Sequence, residues 1–302
     1  GGDSGGRTVA LQYSTDGVGW TNVATGLSAK QGSFAWNTLG FPDGFAVYWR
    51  VVAEDGSGVS DAIDAPFALR NNAHDFYVND GDPTDDLYCS ALGSAANDGL
   101  TAGTPKAALQ QILNAYDLEG GDVVYLDTGT YETNANVRII WSRSGDASAD
   151  VVVQGNTNNP FATMLTRSGS TNYPALGIDV RASHVQIGNL HVRGLDRAIG
   201  LESNQNVTIQ GVVVSESATG LDVKGAQGTL VGNSAFWRTG TGVSLVNAQT
   251  STLENLTFAL STVAGVHLQN TVFDVLQNNV FIPAADACAY SIGTATSLLL
   301  NA

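Results

Sequence analysis

Four consecutive segments, His184–Gln205, Asn206–Gln227, Gly228–Gln249 and Thr250–Val272, align residue for residue at 22, 22, 22 and 23 residues, and the pattern resumes at Phe273. Stacked this way, one column reads Ile187, Ile209, Val231, Leu253, Leu276 and another Val192, Val214, Phe236, Phe258, Phe281. Two more read Ile199, Leu221, Val243, Val266 and Leu201, Val223, Leu245, Leu268. Apolar residues two apart, rich in Val, Ile, Thr and Phe, describe short strands better than a helix pair. If each segment is one rung, successive rungs lie about 4.8 Å apart and every column becomes a continuous pile of like side chains. A single rung cannot bury its inner face, so stability comes from its neighbours. The expected fold is therefore all-β, a right-handed parallel β-helix.

A polar column supports the register: Asn189, Gly211, Asn233, Asn255, Asn278 and Asn301. A tight corner between strands needs φ > 0, which Asn and Gly tolerate best. Stacked Asn amides are also able to hydrogen-bond along the pile, as polar ladders do in other stacked sheets.

The chain carries 28 acidic and 13 basic residues, a net charge of −15. That balance excludes nucleic acid and anionic membrane surfaces as partners, because both need a cationic face. It favours divalent cations. No run is long and apolar enough to span a bilayer, and no secretion signal stands at Gly1. A mature or excised portion of an exported bacterial protein, extracellular or at the cell surface, is expected. Cys89 and Cys288 fall at opposite ends of the stack, far beyond the ~7 Å Cα separation that a disulfide tolerates. Cys288 lies within one residue of an inward column, so a buried free thiol is expected there.

Residues 1–70 read as a small antiparallel sandwich, with runs Thr8–Ser14, Trp20–Thr25, Gly32–Thr38, Phe45–Glu54 and Asp61–Leu69 between Asp-Gly, Pro-Asp-Gly and Gly-Ser-Gly turns. Tyr13, Trp20, Phe34, Trp36, Tyr48, Val51 and Phe67 would form its core. The succession YSTDGVGW, SFAWNT, FPDG and VYWRVVAEDGSG resembles the immunoglobulin/fibronectin-type modules of large bacterial extracellular proteins. Such modules need about seven strands; the expectation is that a first strand lies upstream. Residues 71–121 form an acidic junction and a cap. There the amphipathic run Lys106–Tyr116 has Ala108, Leu109, Ile112, Leu113 and Tyr116 at helical spacing and Pro105 at its first turn. A helix there would cover the first rung and protect its edge. Residues 122–302 form the β-helix, with Val123–Asp127 opening the first rung and the last rung left open. Between Gly155 and Asn189 the corner spacing is 34 residues instead of 22, so about a dozen residues are inserted within 156–174, where Phe161, Met164, Arg167 and Tyr173 would line a side loop.

The strings FYVNDGDPTDD, ANDGLTAGTPKAALQQIL and GGDVVYLDTGTY, with the repeats behind them, resemble the opening of right-handed parallel β-helices of the pectin-lyase-like superfamily, over about 75–302. The resemblance implies the fold. It implies activity weakly, since the superfamily holds polysaccharide lyases, glycoside hydrolases, adhesins and structural repeats.

A lyase of this kind needs carboxylates that hold Ca²⁺ against an acidic sugar and an Arg or Lys base; a hydrolase needs two or three close carboxylates. Outward neighbours of the Ile199 column place Asp179, Arg181, Glu202, Asp222 and Lys224 in one patch over three rungs, the best catalytic candidates. The competing reading is a charge ladder of alternating sign, which is favoured because no catalytic motif of the superfamily matches. Trp237 and Arg238, with Arg193, Arg197 and Tyr173, are the candidates for a sugar-binding platform. Asp80, Asp82, Asp85 and Asp86 supply hard oxygen ligands suited to Ca²⁺, although a solvated acidic linker fits as well and no cofactor is required. His184, His191 and His267 fall in different parts of the repeat and share no metal.

These features point to a structural or adhesive module of a larger surface protein, packed against neighbouring chains or domains of the same assembly or against polysaccharide. The alternatives are a lyase or hydrolase acting on acidic polysaccharide, and a non-catalytic carbohydrate-binding module.

Overall fold

The computed structural model describes residues 6–167 and 175–301. The chain divides into two compact units, 1–73 and 74–302.

In the first unit Gly44–Ala53 is the central strand. It pairs antiparallel with Thr8–Ser14, with Ser60–Ala62 and, at its other end, with Phe67–Leu69, while Thr21–Ser28 flanks Thr8–Ser14. The expected single run Asp61–Leu69 is thus two strands. Pro66 between them has no N–H to give to a ladder. Gly32–Thr38 forms no strand. Its Trp36 instead joins an aromatic cluster, with ring centroids 5.8 Å from Tyr13, 5.1 Å from Phe41 and 6.3 Å from Phe67.

The second unit is a parallel β-helix whose described residues form three long sheets and a two-stranded one, Thr271–Val272 with Ala295–Thr296. Among the described residues the first sheet has nine strands, from Asp75–Val78 and Val123–Leu126 to Leu299–Asn301. The second and third have seven each, running from Gly129–Glu132 to Val280–Ile282 and from Val137–Ile139 to Cys288–Ile292. The stack begins earlier than expected, because Asp75–Val78 pairs with Val123–Leu126 and takes the opening position.

Each apolar column lies in register as the repeat requires. Ile187, Ile209, Val231, Leu253 and Leu276 are successive ladder partners, as are Val192, Val214, Phe236, Phe258 and Phe281. All but the terminal Phe281 are buried. At about 25 cal/mol per Å² of apolar surface removed from water, such piles are the main stabilising term. The Phe rings stack at 5.2 Å (Phe236–Phe258) and 4.8 Å (Phe258–Phe281). Opposite them Gly220, Gly242 and Gly265 leave the space: a Cβ on Gly242 would come within 2.4 Å of Phe258.

The corner column has the expected left-handed backbone, with φ of 52° at Asn189, 63° at Gly211, 48° at Asn233, and 54° at both Asn255 and Asn278. Its ladder runs through the backbone, Asn189 N–H donating to the Gln210 carbonyl and Asn233 N–H to that of Glu254. Three further left-handed columns carry no single residue type that marks them in the sequence: His184, Asn206, Gly228, Thr250, Phe273, Ser297; Gly194, Glu216, Arg238, Leu260; and Ser203, Gly225, Asn247, Asn270.

The cap helix is Leu109–Ala115, shorter than Lys106–Tyr116. Lys106 is taken by a parallel bridge to Val78, so Pro105 precedes the helix instead of starting it. Leu109, Ile112 and Leu113 are buried against the first strands of the stack. At the other end Cys288 is exposed, contrary to expectation. The repeat lengthens from 23 residues between Thr257 and Val280 to 24 between Ala264 and Cys288, which puts Tyr290 on the inward column in line with Val266. No helix among the described residues is long and apolar enough to cross a membrane.

Candidate functional site

The outer face of the third sheet brings the catalytic candidates together. Asp179 pairs with Gly200, which pairs with Asp222, and Glu202 pairs with Lys224. The two aspartates are thus two rungs apart, with only Gly200 directly between them in the column. They line a recess of about 230 Å³ with Arg181, Arg197, Glu202 and Lys224, floored by Leu176.

Both aspartates are almost fully buried, 4% and 6% exposed. On Asp222, Oδ2 lies 2.9 Å from Arg197 Nη1 and 2.9 Å from Lys224 Nζ. On Asp179, Oδ2 lies 3.2 Å from Arg181 Nε and 3.8 Å from Arg138 Nε. Arg181 also reaches Glu202 at 3.2 Å. Four cations therefore face three carboxylates. Two of the cations differ from the sequence expectation: Arg138 comes from the first strand of the sheet, and Arg197 joins this face instead of standing with Trp237. The cations that a lyase would direct at its substrate are directed at these carboxylates. The arrangement has the alternating sign that a stacked sheet needs.

The sugar-platform candidates separate. Arg193, Ser215 and Trp237 are successive partners on the outer face of the second sheet. Trp237 is 39% exposed, and the Arg238 guanidinium lies 4.7 Å from its ring centroid. Arg193 Nε donates to Glu216 Oε2 at 2.9 Å. Arg197 belongs to the third sheet, and Tyr173 lies outside the described residues. The inserted residues fall partly in the corner Asn156–Ala162, which includes the short 3-10 turn Pro160–Ala162. Phe161 covers His191 edge-on at 5.4 Å, and Arg167 donates to Asn136 at 2.8 Å.

In the junction the four acidic candidates serve turns. The Asp80 carboxylate accepts from Asp82 N–H at 2.8 Å and Thr130 N–H at 2.9 Å. Asp82 accepts from Thr84 N–H and hydroxyl, which hold its carboxyl below the usual range. Asp86 accepts from Asn79 at 2.7 Å, while burial and then the neighbouring aspartates push its carboxyl up. Asp85 is exposed at a left-handed φ of 61°. The residue that organises the junction, Asp127, was missed from sequence. Fully buried, it accepts from the N–H groups of Leu87, Tyr88, Cys89 and Thr128 at 2.5–2.8 Å. No group of three or more His, Cys, Asp or Glu positioned to hold a metal occurs among the described residues.

Residues 121–298 match the family model of NosD, described as periplasmic copper-binding protein. The chain belongs to the NosD family. Among solved structures, a rhamnogalacturonan lyase shares the fold at a TM-score of 0.56 and 14% identity, over 74% of this chain and 62% of that one. An alginate lyase from Paenibacillus sp. str. FPU-7 aligns at a TM-score of 0.47 and 17% identity, over 58% of this chain and 69% of that one. PfbA, a surface adhesin of Streptococcus pneumoniae, aligns at 0.42 and 13% identity, over 70% and 69%. No curated protein matches the sequence. This chain thus spans less than two thirds of the length of the rhamnogalacturonan lyase.

Proposed function

We propose that this chain is a structural or adhesive module of an extracytoplasmic bacterial protein, its β-helix acting as a stiff element that meets neighbouring chains or polysaccharide at its sides. The observation that carries this reading is the mutual neutralisation on the third sheet, where Asp179, Glu202 and Asp222 are each held by a cation of the same face. The family's description as periplasmic supports the location.

A second reading, a lyase or hydrolase of acidic polysaccharide, is favoured by one feature. Asp179 and Asp222 stand two rungs apart and line one recess, and a hydrolase needs two carboxylates facing one site. Incubation with polygalacturonate, rhamnogalacturonan and alginate, with and without Ca²⁺, separates the two. The structural reading expects neither ultraviolet absorbance from unsaturated uronate nor new reducing ends. Sustained release of either overturns it.

A further inference from the structure

We infer that the copper-binding description attached to the NosD family does not extend to this chain, and that what the chain shares with the family is the rung itself. Copper sites are assembled from convergent imidazole, thiolate and thioether ligands. This sequence offers four His, two Cys and one Met, and all seven lie among the described residues.

The fold disperses them. His74 opens the first sheet beside Phe76. His184 sits at a left-handed corner, with Nε2 3.3 Å from Asn206 and Nδ1 3.7 Å from Asp150. His267 lies on the third sheet between Ser244 and Ser291, bonded to the latter at 3.3 Å. Cys288, on the next rung, is three positions along from Ser291, about 10 Å at the strand rise. Cys89 belongs to the junction at the opposite end, and burial, with the nearby Asp127 charge, pushes its thiol up, which disfavours the thiolate that a metal needs.

One pair of soft ligands is adjacent. Met164 and His191 are ladder partners on the outer face of the second sheet. His191 is only 7% exposed; its Nε2 is 2.7 Å from Ser215 Oγ, and the Phe161 ring covers it edge-on. Its outward neighbour two residues on, Arg193, brings a positive charge that opposes a cation, offset by the Glu216 that pairs with it. No third soft ligand reaches the pair. The matched span 121–298 instead coincides with the stacked strands from Val123 to Thr296, whose repeated feature is the apolar and Asn columns.

The test uses the untagged chain. It is mixed anaerobically with Cu(I) held by bicinchoninate and, separately, with Cu(II), then passed over a gel-filtration column. Metal is measured by mass spectrometry and thermal unfolding is recorded alongside. Copper that stays with the chelator or elutes free of protein, with an unchanged unfolding midpoint, is the expected result. One copper retained per chain with a raised midpoint overturns the inference, since a ligand that binds only the native state must stabilise it. Loss of that copper in Met164→Leu or His191→Gln would locate the site at the pair, and its retention would locate it elsewhere; both contradict the inference.

Discussion

Arg197 reaches from its own rung to Asp222 on the next, placing Nη1 2.9 Å from Oδ2 of a carboxylate that is 6% exposed. Removing the guanidinium leaves Asp222 to Lys224 alone. Breaking a buried pair costs about 3–5 kcal/mol, but Arg197 is itself about one-third exposed and Lys224 remains, so Arg197→Ala should cost about 2 kcal/mol. Urea unfolding of Arg197→Ala, Asp222→Asn and the double variant should give a coupling energy of about 1–2 kcal/mol. A coupling near zero would show that the pair is decorative.

A left-handed corner and a strand glycine make stability predictions of opposite sign. Leu260 holds φ at 57° with its side chain 40% exposed. A β-carbon there costs about 1–2 kcal/mol, of which Gly recovers part and returns some as unfolded-state entropy. Leu260→Gly should raise the thermal midpoint, by about 0.5 kcal/mol of stability. Gly242→Ala should lower it by about 1–3 kcal/mol, because the added Cβ meets Phe258 at 2.4 Å and the Gly265 carbonyl at 2.6 Å.

Phe258 is the middle ring of the interior stack. Phe258→Ala should cost about 3–5 kcal/mol and Phe258→Leu markedly less, since Leu refills most of the cavity. Denaturant melts of both variants check the order. Equal losses would mean that ring stacking, and not volume, holds the pile.

Burial, and then Arg193, hold the His191 imidazole below its ordinary pKa of 6.5, against an opposing pull from Glu216. In this region the unfolded chain binds the proton more readily than the folded one. The stability that His191 contributes is therefore present above about pH 6.5 and is lost as the pH falls through the folded value. Unfolding free energies measured from neutral to mildly acidic pH should show this decline, and His191→Gln should remove that part of it.

The register was legible because its signals are redundant. Four apolar columns and an Asn column all fix the same rung, and a one-residue slip would turn every inward side chain outward. Where redundancy stops, the sequence misleads. Cys288 follows a one-residue lengthening of the repeat, and the expected face reversed. Arg138 lies in the strand before the irregular coil, where no repeat spacing ties it to Asp179. Asp127 collects three of its four N–H donors from residues about 40 positions away, a contact that only the folded junction creates. Lys106–Tyr116 has helical periodicity throughout, yet Lys106 donates its N–H to the Tyr77 carbonyl and accepts from Asn79 N–H, and the helix starts three residues later. The charged patch itself was readable, because strand alternation places Asp179, Glu202, Asp222 and Lys224 outward once the inward columns are known.

Asp179 and Asp222 either hold the stack together or act on a glycan, and the two roles predict different behaviour in their variants. Wild type, Asp179→Asn and Asp222→Asn should be compared in one experiment that records both uronate-polysaccharide cleavage and urea unfolding. The predicted result is no cleavage by the wild type and a lower unfolding midpoint in both variants. Cleavage by the wild type that both variants lose, with unfolding curves that superimpose on the wild-type curve, would contradict it.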